Sequence, residues 1–361
     1  MWHELDKKVV DRIVQKYGIN VDSTERVVLK KAKVGQKTRV FRVEREGLSV
    51  FIVDTPMARN IACFPHLVGE PLEDVARAAA MEAFPVMIEL ADIRRDDSGR
   101  AVVLEQILRA APGYGLQDVA SRFLKQAYRT VYVRPRYTHK SYRDHDGLVQ
   151  REIKLVHEDF AEFPRNKKVT LVMQDTVASG RSGEVSIEVA LRHCEETGCE
   201  IEKWILYGFI AEHGLTVLHE VAKKHGIPLF AFPMGNLTAL AVNNYDMPLY
   251  GVDEACWQKI HMVQKLGGTI DRVSLEEYIP CFVPGADQPG DWSARQSRLF
   301  NGEAYESGDI VKHLNDSVRL IRSLCEIGNF DPWQQRIANE ELEQLTEMLA
   351  VKHILPLKRR P

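Results

Sequence analysis

The feature that most constrains this chain is a series of short apolar segments that alternates with amphipathic segments between residues 101 and 232. Five apolar segments are strand candidates: 101–108, 129–133, 169–173, 204–210 and 228–232. Helical periodicity follows several of them, at 116–127, at about 183–197 and at 215–224. This alternation predicts an α/β fold, a parallel sheet with helices on both faces. Such sheets bind ligands at the carboxyl ends of their strands.

Different patterns flank this central region. Residues 1–18 have the periodicity of a short helix with one apolar face. In residues 38–55, apolar and polar residues alternate on either side of Glu46-Gly47, which predicts a β-hairpin. A strong helix pattern opens at Pro71, and the chain ends in two helix patterns after residue 308. We therefore predict three parts: an N-terminal helix and hairpin extension (1–66), a core (67–300, with 245–280 as an insertion) and a C-terminal helical extension (301–361).

Composition excludes several functional classes. Hydrophobic residues make up 45% of the chain and charged residues 27%, which is enough apolar mass for a core. The formal net charge of −3 gives no basic excess that would indicate nucleic-acid binding. No apolar run approaches the ~20 residues of a membrane span, and the N-terminus lacks a signal-peptide pattern. Six cysteines in so long a chain are typical of free thiols. We expect a cytoplasmic protein.

The most informative segment is residues 174–182, Gln-Asp-Thr-Val-Ala-Ser-Gly-Arg-Ser, between the strand candidate 169–173 and a helix. Its small residues let the backbone turn tightly and expose its N–H groups. The helix N-terminus adds partial positive charge, so the segment is suited to hold a phosphate. The alternative is an ordinary strand–loop–helix connection with Ser182 as a helix cap.

This segment resembles the phosphoribosyl diphosphate (PRPP) motif of type I phosphoribosyltransferases, in which two acidic residues and a run of small residues follow a strand. The version in the uracil phosphoribosyltransferase branch is the most similar. Two positions differ, because Gln174 replaces the first acid and Arg181 replaces a glycine. The resemblance implies that PRPP is bound by Gln174, Asp175, Thr176, Ala178, Ser179, Gly180, Arg181 and Ser182.

Two arginines extend the resemblance. Residues 106–113, Gln-Ile-Leu-Arg-Ala-Ala-Pro-Gly, are similar to the branch's Pro-Ile-Leu-Arg-Ala-Gly-x-Gly loop. The resemblance implies that Arg109 holds the pyrophosphate of PRPP and that Arg134, after the strand 129–133, is a second pyrophosphate ligand. A guanidinium suits this role because it is always charged and pairs with two phosphate oxygens at once. Taken alone, Arg109 is equally compatible with a solvent-facing loop charge.

A third similarity lies at 282–291, which resembles the uracil-binding loop of that branch shortened by one residue. It implies that Val283, Pro284 and Gly285 present backbone groups to the base, and that Asp287 serves PRPP or magnesium. A rival segment for this role is 245–251, Tyr-Asp-Met-Pro-Leu-Tyr-Gly, which lacks the paired aspartates. We favour 283–291.

Residues 135–153 are rich in basic and aromatic side chains. They are compatible with an exposed basic arm. The resemblance instead implies a mobile β-arm that closes over PRPP and excludes water.

The resemblance implies an enzyme of pyrimidine salvage that transfers the 5-phosphoribosyl group of PRPP to a nitrogenous base, with uracil favoured, and releases pyrophosphate. Asp175 and Asp287 would be the catalytic carboxylates, Asp287 would hold Mg²⁺, and the enzyme would be a homo-oligomer. The alternative is a non-catalytic PRPP or nucleotide sensor on the same fold. Gln174 in place of an acid fits that alternative, and the C-terminal helices would then offer a partner surface.

Overall fold

The computed structural model describes residues 7–94, 96–124, 128–137, 153–255 and 264–354. Within these ranges a nine-stranded sheet has the order β1-β2-β3-β9-β8-β7-β4-β5-β6. Its strands are β1 (Thr24–Arg26), β2 (Arg39–Val43), β3 (Ser49–Asp54), β4 (Arg100–Ile107), β5 (Arg129–Tyr137), β6 (Ile153–Asp159), β7 (Lys168–Gln174), β8 (Glu200–Ala211) and β9 (Leu229–Thr238). Two small antiparallel pairs join β10 (Tyr250–Val252) with β11 (Lys265–Gly267) and β12 (Leu299–Phe300) with β13 (Tyr305–Glu306).

The middle of the sheet is parallel. Strands β3, β9, β8, β7, β4 and β5 run in the same direction, whereas β1, β2 and β6 pair antiparallel at the edges. All five strands predicted between residues 101 and 232 are present. The loops that follow these parallel strands therefore all lie at the carboxyl ends of the strands, and the candidate site lies there.

Helices cover both faces of the sheet. They are α1 (Lys7–Tyr17), α2 (Pro56–Cys63), α3 (Glu70–Leu90), α4 (Leu116–Leu124), α5 (Arg181–Thr197), α6 (Glu212–Lys224), α7 (Arg272–Tyr278), α8 (Trp292–Arg295), α9 (Ile310–Ile327) and α10 (Pro332–Ile354), with a 3₁₀ helix at Ala111–Tyr114. On β4, Val102 and Leu104 pack into the core on one face, and Val103 and Ile107 pack into the core on the other. The predicted α/β fold is therefore confirmed.

The described parts of the two predicted extensions pack against the central region. The predicted hairpin forms as β2 and β3, and β3 pairs parallel with β9, so the hairpin extends the central sheet. Helices α9 and α10 contribute Leu314 and Leu345 to the core that also holds α3. The domain boundaries at 66 and 300 stay predictions.

Several expectations from sequence concern residues that the structure does not describe or describes only in part. Residues 138–152 of the predicted arm lie outside the described ranges, and so does Cys256. The five cysteines within those ranges are free thiols. None of the helices in the described part of the chain combines the length and apolar character of a membrane span.

Candidate functional site

The strand order reverses at β4, and this reversal opens a crevice. From β4 the chain continues to β5 on one side, while β7 lies on the other side of β4 and leads on to β8 and β9. The loops after β4 and β7 therefore leave in opposite directions, which is the arrangement that forms ligand crevices in α/β sheets. A cavity of about 250 Å³ occupies this position.

Three chain segments supply most of the cavity lining. They are the loop after β4 (107–110), the loop after β7 with the start of α5 (175–183), and residues 289–293. Pro135, Tyr137, Asn244 and Tyr245 complete the lining. The structure thus brings together eight predicted site residues, which are Arg109, Asp175, Thr176, Ala178, Ser179, Gly180, Arg181 and Ser182.

Helix α5 begins at the cavity without a side-chain cap. Gly180 is its N-cap residue, and within the described part of the chain no side chain accepts a hydrogen bond at this cap. Residues 181–183 both open the helix and line the cavity. The first N–H groups of a helix have no partner within the helix, so this end can receive an anion.

Gly180 is needed for packing between α5 and α6. Its φ of +81° is in the left-handed region, and a Cβ placed on it would lie 2.8 Å from the Gly214 carbonyl oxygen. Likewise, a Cβ on Gly214 would lie 2.3 Å from the Ala178 carbonyl oxygen. Glycine at both positions lets the 178–180 loop rest directly on the start of α6, and this contact fixes the loop beside the cavity.

Two buried carboxyl groups lie on the same side of the sheet below this loop. Desolvation raises the pKa of Asp175 to about 7, and the neighbouring Glu105 carboxylate adds to the rise, while a backbone N–H of Thr176 opposes it. Desolvation also raises the pKa of Glu105 to about 7, partly offset by the nearby Ser186 hydroxyl. Asp175 lines the cavity, whereas Glu105 is wholly buried on β4. Asp175 therefore changes charge near neutral pH.

Gln174 faces away from the cavity into a network of amides. Its Nε2 donates to Oε1 of Gln106 (2.6 Å) and of Gln117 (2.7 Å), and its Oε1 accepts from the Leu116 N–H (3.0 Å) that opens α4. Gln117 in turn donates to the Pro112 carbonyl oxygen. An aspartate or glutamate at position 174 has no donor for these oxygens when ionised, which explains why this chain carries an amide here.

Tyr114 joins the loops on the two sides of the crevice. Its hydroxyl lies 2.5 Å from the Thr176 hydroxyl, and its ring stacks on Trp292 with centroids 4.5 Å apart. Gly208 on β8 permits this arrangement, because a Cβ there would lie 2.1 Å from the Asp175 carbonyl oxygen and 3.1 Å from the Tyr114 ring. Sequence reasoning missed Tyr114; its place between Gly113 and Gly115, directly after the segment 106–113, was the available signal.

Both predicted pyrophosphate arginines contact the β12–β13 hairpin. Arg109 forms an ion pair with Glu306 (2.5 Å), and the side chains of the two residues are 38% and 37% exposed. Arg134 donates to the Asn301 carbonyl oxygen (3.0 Å), and the Asn301 amide donates to Glu306. The two arginines lower the pKa of Glu306, after the larger effect of its hydrogen bond from Asn301. Arg134 itself is not among the lining residues.

The predicted base-binding residues lie behind the cavity wall. Val283, Pro284 and Gly285 are buried, and the Gly285 N–H donates to the Tyr250 carbonyl oxygen (2.7 Å). The Asp287 carboxylate accepts from the Met247 N–H (2.9 Å) and is 4% exposed. The lining instead takes Pro289, Gly290 and Asp291 from the end of that loop, together with Tyr245 from the rival segment.

Magnesium was predicted at Asp287. Among the described residues, no group of three or more histidine, cysteine or acidic side chains is arranged to hold a metal ion. The carboxylates that line the cavity are Asp175 and Asp291, and Asp291 also caps α8 by accepting from the Ala294 N–H. Asp175 is therefore the better placed of the two residues predicted to be catalytic.

Comparisons with known proteins give distant structural likenesses only. No protein-family model and no curated protein matches the chain. Among solved structures, a hypothetical protein from Neisseria gonorrhoeae with bound ppGpp is 18% identical, with 45% of this chain and 77% of that chain covered and a TM-score of 0.26.

Two phosphoribosyltransferases also match. The L. donovani hypoxanthine-guanine enzyme is 11% identical, with 47% of this chain and 85% of that chain covered and a TM-score of 0.25. A mutant hypoxanthine enzyme from Trypanosoma cruzi, complexed with IMP, is 14% identical, with 45% and 75% covered and a TM-score of 0.24. At these identities and TM-scores, none of the three likenesses assigns an activity to this chain.

The raised pKa of Glu105 predicts a pH-dependent cost to folding. A raised folded-state pKa means that stability is full below about pH 4.5 and is lost as pH rises to about 7. Glu105→Gln should therefore leave stability unchanged near pH 4.5 and increase it at pH 8, by on the order of 3 kcal/mol. Urea unfolding at both pH values measures this. The exposed Glu188→Gln is the control, and an equal gain at both pH values would contradict the assignment.

The amide network predicts that restoring an acid at position 174 is harmful. Gln174→Glu should lower the free energy of unfolding at pH 7 by ~1–3 kcal/mol, because Oε1 of Gln106 loses its donor and Oε1 of Gln117 keeps only the one from Gln106. Gln15→Glu, on the exposed face of α1, should have little effect. If chemical denaturation shows the 174 variant to be as stable as wild type, the network does not contribute as described.

Proposed function

We propose that the cavity binds PRPP and that the chain transfers its 5-phosphoribosyl group to a nitrogenous base, with release of pyrophosphate. The observation that carries this proposal is the uncapped start of α5, which shares one cavity with the cations of Arg109 and Arg181. A ligand with phosphates at two separated positions matches this pair of anion-binding elements. The likeness of residues 174–182 to the PRPP motif supports the same ligand.

The 5-phosphate would bind at residues 178–182, where N–H groups of the helix start and the hydroxyls of Ser179 and Ser182 can donate. The diphosphate would bind Arg109 after displacing Glu306. A partly exposed ion pair contributes at most about 1 kcal/mol, whereas a charge-assisted phosphate contact contributes ~1.5–3 kcal/mol. The phosphate therefore wins this competition, and Glu306 is no obstacle to binding.

Asp175 would act at the ribose between these two phosphate positions. When ionised, it would stabilise the positive charge that develops on the ribose as the bond from C1 to the diphosphate oxygen breaks. The base nitrogen forms the new bond to C1, the bond pair leaves with pyrophosphate, and the proton of that nitrogen passes to solvent. Mg²⁺ would supply additional positive charge to the diphosphate when bound, and Asp175 is the residue that would hold it. Asp287 would act indirectly, by fixing the backbone at Met247 beside Tyr245.

The base would stack on Tyr245. Tyr245 lines the cavity, whereas residues 283–285 are buried and are not among the lining residues. Base–aromatic stacking tolerates different bases, so the position of Tyr245 favours a nitrogenous base without selecting one. Uracil remains the first base to test.

A non-catalytic PRPP or nucleotide sensor is the second candidate. It is favoured by the inward orientation of Gln174, which leaves Asp175 as the one member of the usual acidic pair that lines the cavity. Such a protein binds the ligand without turnover, and the β12–β13 hairpin would report occupancy through Glu306.

One experiment separates these two candidates. The protein is incubated with PRPP, Mg²⁺ and a panel of purine and pyrimidine bases, and pyrophosphate release is measured beside the thermal shift with PRPP alone. Release with one base supports the transferase. Thermal stabilisation by PRPP, without pyrophosphate release in the presence of any base, supports the sensor. If PRPP neither stabilises the protein nor releases pyrophosphate with any base, PRPP is not the ligand.

Substitutions of Arg109 and of Glu306 should change the affinity for PRPP in opposite directions. Arg109→Ala should weaken PRPP binding about ten- to a hundredfold and leave the melting temperature nearly unchanged, because it removes a charge-assisted contact at a partly exposed position. Glu306→Gln should strengthen PRPP binding up to about fivefold, because it removes the competing carboxylate. Isothermal titration calorimetry of both variants measures this. A normal affinity of Arg109→Ala for PRPP would show that Arg109 does not contact the diphosphate.

Substitution of Tyr245 should change the apparent KM for the base and leave the KM for PRPP unchanged. Tyr245→Ala should raise the apparent KM for the base about tenfold through loss of stacking, whereas Tyr245→Phe should keep it close to wild type. Initial-rate kinetics with PRPP and base varied separately measure both constants. A rise in the KM for PRPP alone would place the base elsewhere.

A further inference from the structure

Two cysteines that are far apart in sequence lie in contact beside the segments that form the cavity wall. Cys63 is the last residue of α2, and Cys281 follows α7. Their Sγ atoms are 3.5 Å apart, and both are free thiols. Since a disulfide needs the two sulfurs at about 2.05 Å, only a small side-chain movement separates this pair from a bond.

The two thiols differ in access to solvent. Cys63 is 2% exposed, whereas Cys281 is partly exposed. The Cys281 sulfur also lies 3.3 Å from the Tyr278 carbonyl oxygen and 3.5 Å from that of Glu277. A small oxidant would therefore meet Cys281 first, with the Cys63 sulfur already in contact behind it.

We propose that Cys63 and Cys281 form a reversible disulfide when the protein meets a hydroperoxide. The juxtaposition of a buried and a partly exposed sulfur at 3.5 Å carries this inference, which does not depend on the function proposed above.

The chemistry has two balanced steps. The Cys281 sulfur attacks the hydroperoxide, which gives a sulfenic acid on Cys281 and releases an alcohol, or water if the oxidant is hydrogen peroxide. The Cys63 sulfur then attacks the sulfenic sulfur, which forms the S–S bond and releases water. Each sulfur has lost one electron overall, and the peroxide has accepted both. A dithiol reductant reverses the change by thiol–disulfide exchange.

The bond would tie together two segments that already share one buried cation. The Arg295 guanidinium donates to the carbonyl oxygens of Ile61 and Phe64 on one side, and to that of Pro289 on the other. Cys63 lies within the first segment, and Cys281 leads into the second. Since Pro289 lines the cavity, the disulfide would fix the cavity wall to α2.

Peptide mapping tests the proposal directly. The folded protein is treated with hydrogen peroxide, alkylated and digested with trypsin without reduction. Cleavage at Arg59, Arg77, Arg272 and Arg295 places Cys63 in peptide 60–77 and Cys281 in peptide 273–295, each as its only cysteine. We expect the two peptides as one linked species whose mass is lower by two hydrogen atoms, and its loss after treatment with dithiothreitol.

Matched variants identify the order of events. Cys63→Ser should let the sulfenic acid on Cys281 persist, so that dimedone traps it, whereas Cys281→Ser should leave Cys63 unmodified. Cys325→Ser, at a partly exposed thiol on α9, should leave formation of the bridge unchanged. In guanidinium chloride the linked species should give way to a Cys194–Cys199 bridge, because chain proximity then decides pairing.

Two results would overturn the proposal. One is oxidation of Cys281 to a sulfinic or sulfonic acid in the folded wild type with no linked peptide. The other is a bridge in the folded protein that joins Cys63 or Cys281 to a different cysteine.

Discussion

The site depends on the pairing of β4 with β7, because the chain reverses its direction of travel across the sheet at that pair. The reversal separates the loops that follow the two strands, and one side chain connects the two sides of the crevice between them. Tyr114 supplies this bridge through the Thr176 hydroxyl and the Trp292 ring. Gly208 allows the close approach of β8 beneath it. The cavity is therefore a product of topology that is held by a few contacts.

Electrostatic opposition gives the cavity its chemical character. The start of α5, Arg109 and Arg181 favour an anion. Asp175 and the deeper Glu105, in contrast, are buried carboxyl groups whose pKa values are raised to about 7. A bound phosphate and an ionised Asp175 repel each other unless a cation lies between them. This is the physical reason to expect Mg²⁺, or the developing charge of a ribosyl cation, at the same place.

Sequence patterns predicted the parts of the site that are local in the chain. The strand at 169–173, the small residues at 178–182 and the following helix are one continuous signal, and the structure places them as expected. The orientation of Gln174 could not be predicted, because it depends on Gln106 and Gln117 from other elements. The Arg109–Glu306 pair joins residues far apart in the sequence, and no local pattern indicates it. The burial of residues 283–285 is also non-local, since the Gly285 N–H donates to the Tyr250 carbonyl oxygen, and no pattern within the loop indicates that contact.

The proposed function depends above all on the binding of a PRPP phosphate at the uncapped start of α5. The most direct measurement is the change in backbone amide chemical shifts of ¹⁵N-labelled protein during a PRPP titration with Mg²⁺ present. Phosphate binding at α5 should give saturable shifts at the amides of Arg181, Ser182 and Gly183, with smaller changes in the far ends of α9 and α10. Saturable shifts elsewhere in the chain with these three amides unchanged would show that the phosphate does not bind at α5.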